Sequence, residues 1–379
     1  MRNILIISML MAFALGGCRA SDRPDGIDSA SAETESTEYT LEEDIGAMLL
    51  VGFRGTAIDQ GHHIVRDLSQ YHVGSVILFD YDAPSRTRGR NITDAKQLQM
   101  LCDQLRSYNP DLLIGIDQEG GYVSRLSTSY GFPHIMSAQS SAELGDDTVR
   151  RYAQLTAEQL VKAGINLNFA PVADVNVNPK CPVIGAMERS FSSDTKRVAD
   201  CCRIWIEEQR KKGIISCLKH FPGHGSARGD THQGLVDVSP TWQRCELEPY
   251  RTLVAENAVD MVMTAHVINR TLDPQGLPAS LSGKITSLLR DSIGFKGVIV
   301  TDDLAMGAIT QHYTMTQYIR MALDAGADLL CLSNNGGSYN SDLVPQVAAT
   351  ILKLVNEGEV SRERIRQSAD RVRRLQQKK

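Results

Sequence analysis

The chain has 379 residues, of which 42% are hydrophobic and 22% charged, and its formal net charge is −5 at pH 7. No basic patch stands out along it, so we expect no nucleic-acid partner. The part from residue 39 onward is long enough for one large α/β domain.

The first 38 residues predict an export signal and a tether. Arg2 precedes an apolar stretch, residues 4–15, which is too short to span a bilayer as a stable helix. Together with the small residues before Cys18, it resembles a bacterial lipoprotein signal over residues 1–17, with Cys18 as the lipidated residue; an ordinary cleaved signal is the alternative. Residues 18–38 are rich in Ser, Asp, Glu and Thr and predict a disordered acidic tether. We therefore expect a lipid anchor to hold the protein on a membrane of the bacterial cell envelope, facing the periplasm or the outer surface.

Eight apolar, strand-like segments alternate with helical segments along the rest of the chain. The predicted strands are residues 47–53, 74–79, 112–117, 166–172, 214–220, 260–266, 297–302 and 328–333. The predicted helices are residues 95–108, 148–163, 196–211, 246–256, 284–291, 316–325, 343–356 and 361–376. Alternating strands and helices predict a parallel sheet, and eight such units predict an α/β fold of the (β/α)₈ TIM-barrel type over residues 39–379.

Polar side chains stand at or just after the carboxyl ends of six of the predicted strands. In chain order they are Asp117, Asp174, Lys219 with His220, His266, Asp302 with Asp303, and Ser333 with Asn334. The carboxyl ends of parallel barrel strands surround one mouth, where the active sites of barrel enzymes lie. The pattern therefore predicts an enzyme rather than a structural barrel.

The loop after the fifth predicted strand has the densest chemistry. Residues 219–225 read KHFPGHG and residues 229–232 read GDTH, which places three histidines, a lysine and an aspartate within fourteen residues. A lone histidine there would be interpreted as a hydrogen-bonded loop residue. Five such groups in one short loop have no packing rationale, so the loop is predicted to be functional.

A metal site is the main competing interpretation of this loop. Imidazole and carboxylate groups of the kind that ligate zinc are supplied by His220, His224, His232 and Asp230. The loop lacks a helical HExxH pair, and Lys219 next to the first histidine would repel a cation. We expect no metal and no other cofactor.

Four segments in this order resemble a known family. They are IDQEGGYVSR at residues 116–125, NFAPVADV at 168–175, the KHFPGHG loop with its following Asp-x-His, and VTDDLAM at 300–306. Together they are similar to glycoside hydrolase family 3, and the KHFPGHG loop resembles its single-domain β-N-acetylglucosaminidase branch. Residues 184–191 depart from the family pattern IG-x-RSF, because two extra residues precede Arg189.

The resemblance implies a retaining mechanism with an anionic nucleophile and a proton donor. It assigns the nucleophile to Asp302 and leaves Asp303 the role of capping the next loop or helix. In larger family members an acid often comes from a C-terminal α/β sandwich, which we expect to be missing here. The branch motif implies His232 as acid and base in its place, with Asp230 orienting its ring.

The remaining candidates are expected to bind or surround the sugar. Charged side chains grip vicinal hydroxyls in paired hydrogen bonds, and the predicted sugar-binding residues are Asp117, Arg125, Arg189, Lys219 and His220. For the two arginines the alternative is a surface salt bridge. Close behind the sugar site we expect His266, His224 and Met306.

The function implied is a retaining exo-β-N-acetylglucosaminidase that acts on peptidoglycan fragments or other GlcNAc-terminated glycans. A β-glucosidase or β-xylosidase of the same family, a GlcNAc phosphorylase and a non-catalytic sugar-binding lipoprotein are the alternatives. The seven cysteines after Cys18 show no zinc-ligand spacing, and their pairing stays open.

Overall fold

The computed structural model describes residues 39–378. The predicted signal at residues 1–17, the lipidation site Cys18 and the tether at 18–38 lie outside the described residues. Among the helices of residues 39–378, none combines the length and the apolar character that crossing a membrane requires.

Eight parallel strands form the centre of the domain. They are β1 Leu49–Gly52, β2 Ser75–Leu78, β3 Leu113–Ile116, β4 Leu167–Asn168, β5 Ile215–Phe221, β6 Met261–Thr264, β7 Val298–Thr301 and β8 Leu330–Leu332. Hydrogen bonds join each strand to its neighbours in chain order, and β1 pairs with β8. A single parallel bridge between Val300 and Leu329 joins β7 to the start of β8 and closes the ring. The predicted (β/α)₈ barrel is confirmed.

Twelve α-helices are found in residues 39–378. They are α1 Leu41–Ala47, α2 His63–Gln70, α3 Ala95–Tyr108, α4 Ala138–Glu143, α5 Asp146–Ala163, α6 Thr195–Arg210, α7 Glu248–Ala255, α8 Gly283–Ser287, α9 Gly307–Thr310, α10 Met315–Ala325, α11 Leu343–Asn356 and α12 Arg362–Gln376. Side-chain caps start several of them: Asp94 accepts the backbone N–H groups at the start of α3, and Asp194 does so for α6. Gly164 and Gly326, both left-handed, end α5 and α10.

Most predicted elements are found with shifted ends, and two differ in kind from the structure. The fourth strand was predicted over residues 166–172 but pairs only at Leu167–Asn168 and again at the bridge from Val172 to Lys219. Pro171 lies in that interval and has no N–H to donate to a ladder. The predicted helix 284–291 is divided into α8 and a π-helical turn, Leu288–Ser292.

The barrel interior is filled by apolar side chains from the strands. This cluster includes Leu50, Ile77, Leu113, Leu167, Ile215, Cys217, Met261, Val298 and Cys331, all buried. The seven cysteines of residues 39–378 are free thiols, and six of them are buried. The barrel is thus a packed core rather than a pore, which leaves the strand ends as the place for chemistry.

Short two-stranded ribbons stand on the loops that leave these strand ends. After β2, Tyr81–Asp82 pairs with Thr87–Arg88, and after β3, Gln118–Gly120 pairs with Val123–Ser124. Gln118 fixes the second ribbon, because its side chain donates to Ser124 and accepts from the backbone of Leu126. The loops around the mouth are therefore held by their own hydrogen bonds.

Candidate active site

A cavity of about 490 Å³ opens at the carboxyl ends of the strands. Its volume is in the range of small-ligand sites. The lining includes every residue predicted to act in catalysis or sugar binding: Asp302, His232, Asp230, Asp117, Arg125, Arg189, Lys219 and His220. His224 and Met306 also line it. The structure therefore brings together side chains that the sequence spreads over nearly two hundred positions.

Lys219 is the centre of a buried ion network on the wall of the cavity. Its Nζ lies 2.7 Å from Asp117 Oδ1 and 2.7 Å from Glu119 Oε1. Burial lowers the pKa of Lys219, but Asp117 and Glu119 raise it by more, so the ammonium group stays charged. An ammonium has three hydrogens, and two carboxylates use two of them. One N–H remains for a ligand.

Glu119 is a site residue that the sequence reasoning missed. It accepts two hydrogen bonds from Arg189, at 2.7 Å from Nε and 2.8 Å from Nη2, besides its contact with Lys219. Burial raises the pKa of Glu119, yet Arg189 and Lys219 together lower it well below its usual value. The carboxylate thus fixes Arg189 and Lys219, two of the cations that were predicted to bind sugar. Its position in the IDQEGG segment was the available signal.

Arg189 reaches the cavity although its segment is longer than the family pattern. The extra residues form a 3₁₀ turn, Gly185–Met187, which ends at Glu188 in the left-handed conformation with φ 53°. The backbone carbonyl of Val183 accepts from Arg189 Nη1 at 2.6 Å. The salt bridge considered as the alternative for Arg189 is present, but it is buried and its partner Glu119 belongs to the site.

Asp174 organises the two histidines of the KHFPGHG loop. It is fully buried and accepts from His220 Nδ1 at 2.6 Å and from the backbone N–H of His224 at 2.7 Å. Burial raises the pKa of Asp174, whereas His220 lowers it by more, so Asp174 is anionic. Because Nδ1 is bonded to Asp174, the other ring nitrogen of His220, Nε2, faces Arg189 Nη2 at 3.4 Å. His220 is therefore held in one orientation at the cavity wall.

His232 and Asp230 form a dyad on the outer part of the same loop. Asp230 Oδ1 lies 2.7 Å from His232 Nδ1 and 2.8 Å from its backbone N–H. The His232 side chain is 67% exposed. The loop is attached to α9, because the carbonyl of Thr231 accepts from Ala308 N at 3.1 Å. His232 is thus accessible to both solvent and cavity while its ring is oriented by a carboxylate.

Asp302 directly follows β7, and its backbone fixes it there. Its N–H donates to the carbonyl of Thr264 at 2.9 Å, and its Oδ1 accepts from the N–H of Asp303 at 2.8 Å. Burial raises the pKa of Asp302, but His266, His220 and His232 lower it to about 2. Asp302 is therefore a carboxylate throughout the neutral range, as a nucleophile must be.

Asp303 also lines the cavity, but its carboxylate is taken up by hydrogen bonds to the barrel wall. Its carboxylate accepts from the Ser333 hydroxyl, from Ser333 N at 2.9 Å and from Ala305 N at 3.1 Å. His266 lies behind it, with Nε2 2.9 Å from the Asp303 carbonyl and Nδ1 2.7 Å from Ser280 Oγ. Asp303 joins β7 to β8, and His266 supports the Asp302–Asp303 turn without lining the cavity.

Arg125 is held more loosely than Arg189. Its guanidinium stands 3.9 Å from Asp80 and 3.9 Å from Asp117, and 5.7 Å from the centre of the Phe79 ring. These are long contacts for an ion pair, so Arg125 can turn toward a ligand. Within residues 39–378, no three His, Cys, Asp or Glu side chains are arranged to hold a metal ion.

Comparison with known proteins places this chain in a family. The "Glycosyl hydrolase family 3 N terminal domain" model matches residues 40–375. A beta-hexosaminidase from Tolumonas auensis is 35% identical over 269 residues, which is 69% of this chain and 76% of that protein. A solved family 3 beta-N-acetylglucosaminidase from Paenibacillus sp. str. FPU-7 is 33% identical with a TM-score of 0.80, over 90% of this chain and 63% of that one.

This chain covers almost the whole length of a second solved structure. The beta-N-acetylhexosaminidase from Beutenbergia cavernae is 26% identical with a TM-score of 0.78, over 90% of this chain and 99% of that one. The family match spans the whole barrel, including the loops that form the cavity. The chain therefore belongs to glycosyl hydrolase family 3.

Proposed function

We propose that the protein is a retaining exo-β-N-acetylglucosaminidase that removes terminal GlcNAc from peptidoglycan fragments or other envelope glycans. Its membership of family 3 makes it a glycosidase. The beta-hexosaminidase and beta-N-acetylglucosaminidase names of its relatives support the sugar. The observation on which the proposal depends is the pairing of an anionic Asp302 with an accessible His232–Asp230 dyad in one cavity.

In the first step the Asp302 carboxylate attacks the anomeric carbon while the glycosidic C–O bond breaks. His232 gives its proton to the departing oxygen, so the leaving group departs as a neutral alcohol. In the second step neutral His232 takes a proton from water, whose oxygen displaces Asp302 from the anomeric carbon. Free sugar of retained configuration is released and both groups return to their starting states.

Asp230 acts on this cycle through His232. Burial raises the pKa of Asp230, but bonds from the His232 backbone and ring lower it, so Asp230 is anionic. An anionic partner fixes the Nδ1–H tautomer and stabilises the imidazolium. Nε2 is then the nitrogen that exchanges a proton with the leaving group.

A parallel assay tests the substrate. We expect nitrophenyl β-GlcNAc to be hydrolysed far faster than the glucose and xylose analogues, because solved structures similar to this chain are named for enzymes that act on N-acetylated sugars. Equal rates on nitrophenyl glucoside would overturn the substrate while leaving the glycosidase mechanism intact. Repeating the reaction with inorganic phosphate and finding GlcNAc 1-phosphate as the main product would identify a phosphorylase instead.

We also propose that Cys18 is lipidated and holds the enzyme on the cell envelope, where such glycans occur. The support is the sequence pattern of residues 1–18. Metabolic labelling with a fatty-acid probe should mark the full-length protein and not Cys18→Ser. Unlabelled wild type in the soluble fraction would contradict the anchor.

A further inference from the structure

Glu246 is a buried carboxyl group behind the active-site loop. It has 0% exposure, its Oε1 accepts from the backbone N–H of Gln243 at 3.0 Å, and its Oε2 has no hydrogen-bond partner in the described part of the chain. An ionised carboxylate with an unpartnered, buried oxygen is costly. A proton on Oε2 would remove this cost.

The group touches the KHFPGHG loop, which leads to His232. Gly223 has φ 120°, and a Cβ built on it would lie 2.7 Å from Glu246 Cβ and 2.8 Å from Oε2. One residue earlier, the carbonyl of Pro222 accepts from Trp242 Nε1 at 3.0 Å. The segment 242–246 thus supports the loop at two successive residues.

Ser226 completes this contact. Its hydroxyl is buried and also lacks a partner, and its hydroxyl and N–H are near enough to Glu246 to affect the pKa of that carboxyl. A protonated Oε2–H can donate to Ser226 Oγ, which has two lone pairs. Two unpartnered groups side by side are satisfied together when the carboxyl keeps its proton.

The surrounding charges favour the protonated form. Burial raises the pKa of Glu246 most and Asp174 raises it too; against the lowering effects of the Gln243 N–H and of Ser226, the pKa moves from 4.5 to about 7. The other titratable groups that face it are Tyr250 on α7 and the adjacent Cys245. Asp174 is the anion that also orients His220 and His224.

We propose that Glu246 is a positioning residue that, as a neutral acid, holds residues 223–226 in place behind the active site. Loss of its proton puts a second buried anion near Asp174 and reverses the hydrogen bond with Ser226, whose hydroxyl must then donate, so the loop loosens and catalysis slows. This role rests on the proposed glycosidase activity, but the proton state of Glu246 does not.

The test compares Glu246→Gln, Glu246→Ala and the control Glu248→Gln, an exposed glutamate two residues along. Gln keeps a donor for Ser226 and an acceptor for Gln243 without a titrating proton. We expect its kcat/KM on nitrophenyl GlcNAc to match wild type within about twofold near pH 6 and to exceed it at least about threefold near pH 8.5. Glu246→Ala should be slower at every pH. A Gln profile that overlays wild type across the range would overturn the proposal.

A second measurement needs no substrate. In infrared spectra recorded near pH 6, wild type and Glu248→Gln should show the absorption band of a protonated carboxyl group. The spectrum of Glu246→Gln should lack that band. Because the folded pKa lies above the unfolded value of 4.5, the folded state binds the extra proton, and wild-type stability relative to the Gln variant should fall from pH 4.5 to about 7 and then level off. A missing band together with parallel stability curves would show that Glu246 is ionised and end the proposal. Absence of any GlcNAc hydrolysis by wild type would instead sink the proposed function.

Discussion

At the residue scale, Asp302 and Asp303 show how adjacent, identical side chains acquire different roles. Burial raises the pKa of both, but three histidines bring that of Asp302 down to about 2, while the pKa of Asp303 stays raised. Both line the cavity, but the Asp303 carboxylate accepts from Ser333 and Ala305, whereas that of Asp302 accepts, within residues 39–378, only from the N–H of Asp303. Asp302 is the carboxylate that is both charged and available.

Asp302→Ala should lower kcat by several orders of magnitude, because the covalent intermediate has no other carboxylate to form on. A fluorinated slow substrate should label Asp302 in wild type, as peptide mapping by mass spectrometry can show. Asp303→Ala should lower the melting temperature, because the substitution removes a contact between β7 and β8. Covalent label on a different residue, or a first product of inverted configuration, would refute the assignment.

His232→Ala should slow cleavage of natural disaccharides strongly and dinitrophenyl substrates little, because a good leaving group needs no proton. Its second step should also be slow, and azide should partly restore it. Asp230→Ala should show the same pattern in weaker form, since the orienting partner is lost but the proton carrier remains. A leaving-group series measured on both variants checks this. Equal losses on good and poor leaving groups would mean that His232 only binds sugar.

Glu119 is the residue of the site that could not be predicted from the sequence. Its burial depends on Arg189, which lies 70 residues along the chain, and on Lys219 from another strand. A single sequence does not show which cations meet which carboxylate. The residues at strand ends were predictable because barrel topology alone places them at the mouth.

At the element scale, the loop after β5 is fitted closely to its neighbours. A Cβ on Gly225 would lie 1.8 Å from the carbonyl oxygen of Val175, and the carbonyl of Gly225 accepts from Asn178 N at 3.0 Å. Gly225 is therefore required by close backbone approach, and Gly223 by its positive φ and by the Glu246 side chain beside it. These contacts explain why the motif has glycines at these positions, and the sequence alone does not show them.

Gly225→Ala should force the loop away from Val175 and cost about 1–3 kcal/mol of stability, as overpacking does. Because the loop carries His224 and leads to His232, kcat should fall as well. Gly283→Ala is the matched control, since its Cβ would meet nothing closer than 3.9 Å. Urea unfolding and kcat on nitrophenyl GlcNAc measure both effects. If Gly225→Ala had the same stability and kcat as Gly283→Ala, the loop would have room to move.

At the scale of the whole molecule, the barrel was predictable because its strands are continuous apolar runs between amphipathic helices. Boundaries failed where one residue broke a pattern, as Pro171 shortens the ladder of β4. The closing of the ring depends on contacts between distant parts of the chain, and no local pattern shows them. Asp328, just before β8, is the clearest example.

Asp328 ties β8 to three other parts of the barrel. It is fully buried and accepts from Arg290 at 2.5 Å, from Ile299 N at 2.9 Å, from Ser368 Oγ at 2.7 Å and from Arg371 at 3.0 Å. These contacts join β7, the π-helical turn and α12 at the amino end of the strands. That end of a barrel serves stability, because the active site lies at the other.

Asp328→Ala should therefore destabilise the protein by about 3–5 kcal/mol, since it leaves Arg290 half-buried without its carboxylate. At a temperature where the variant is still folded, KM on nitrophenyl GlcNAc should match wild type, because the cavity is at the opposite end of β8. Asp370→Ala, which removes an exposed partner of Arg373, should change stability by less than about 1 kcal/mol. Denaturant unfolding of the two variants, followed by steady-state kinetics, separates the outcomes. A stable Asp328→Ala would show that the ring is closed by packing alone. A raised KM at a temperature where the variant is still folded would show that the two ends of the barrel are coupled.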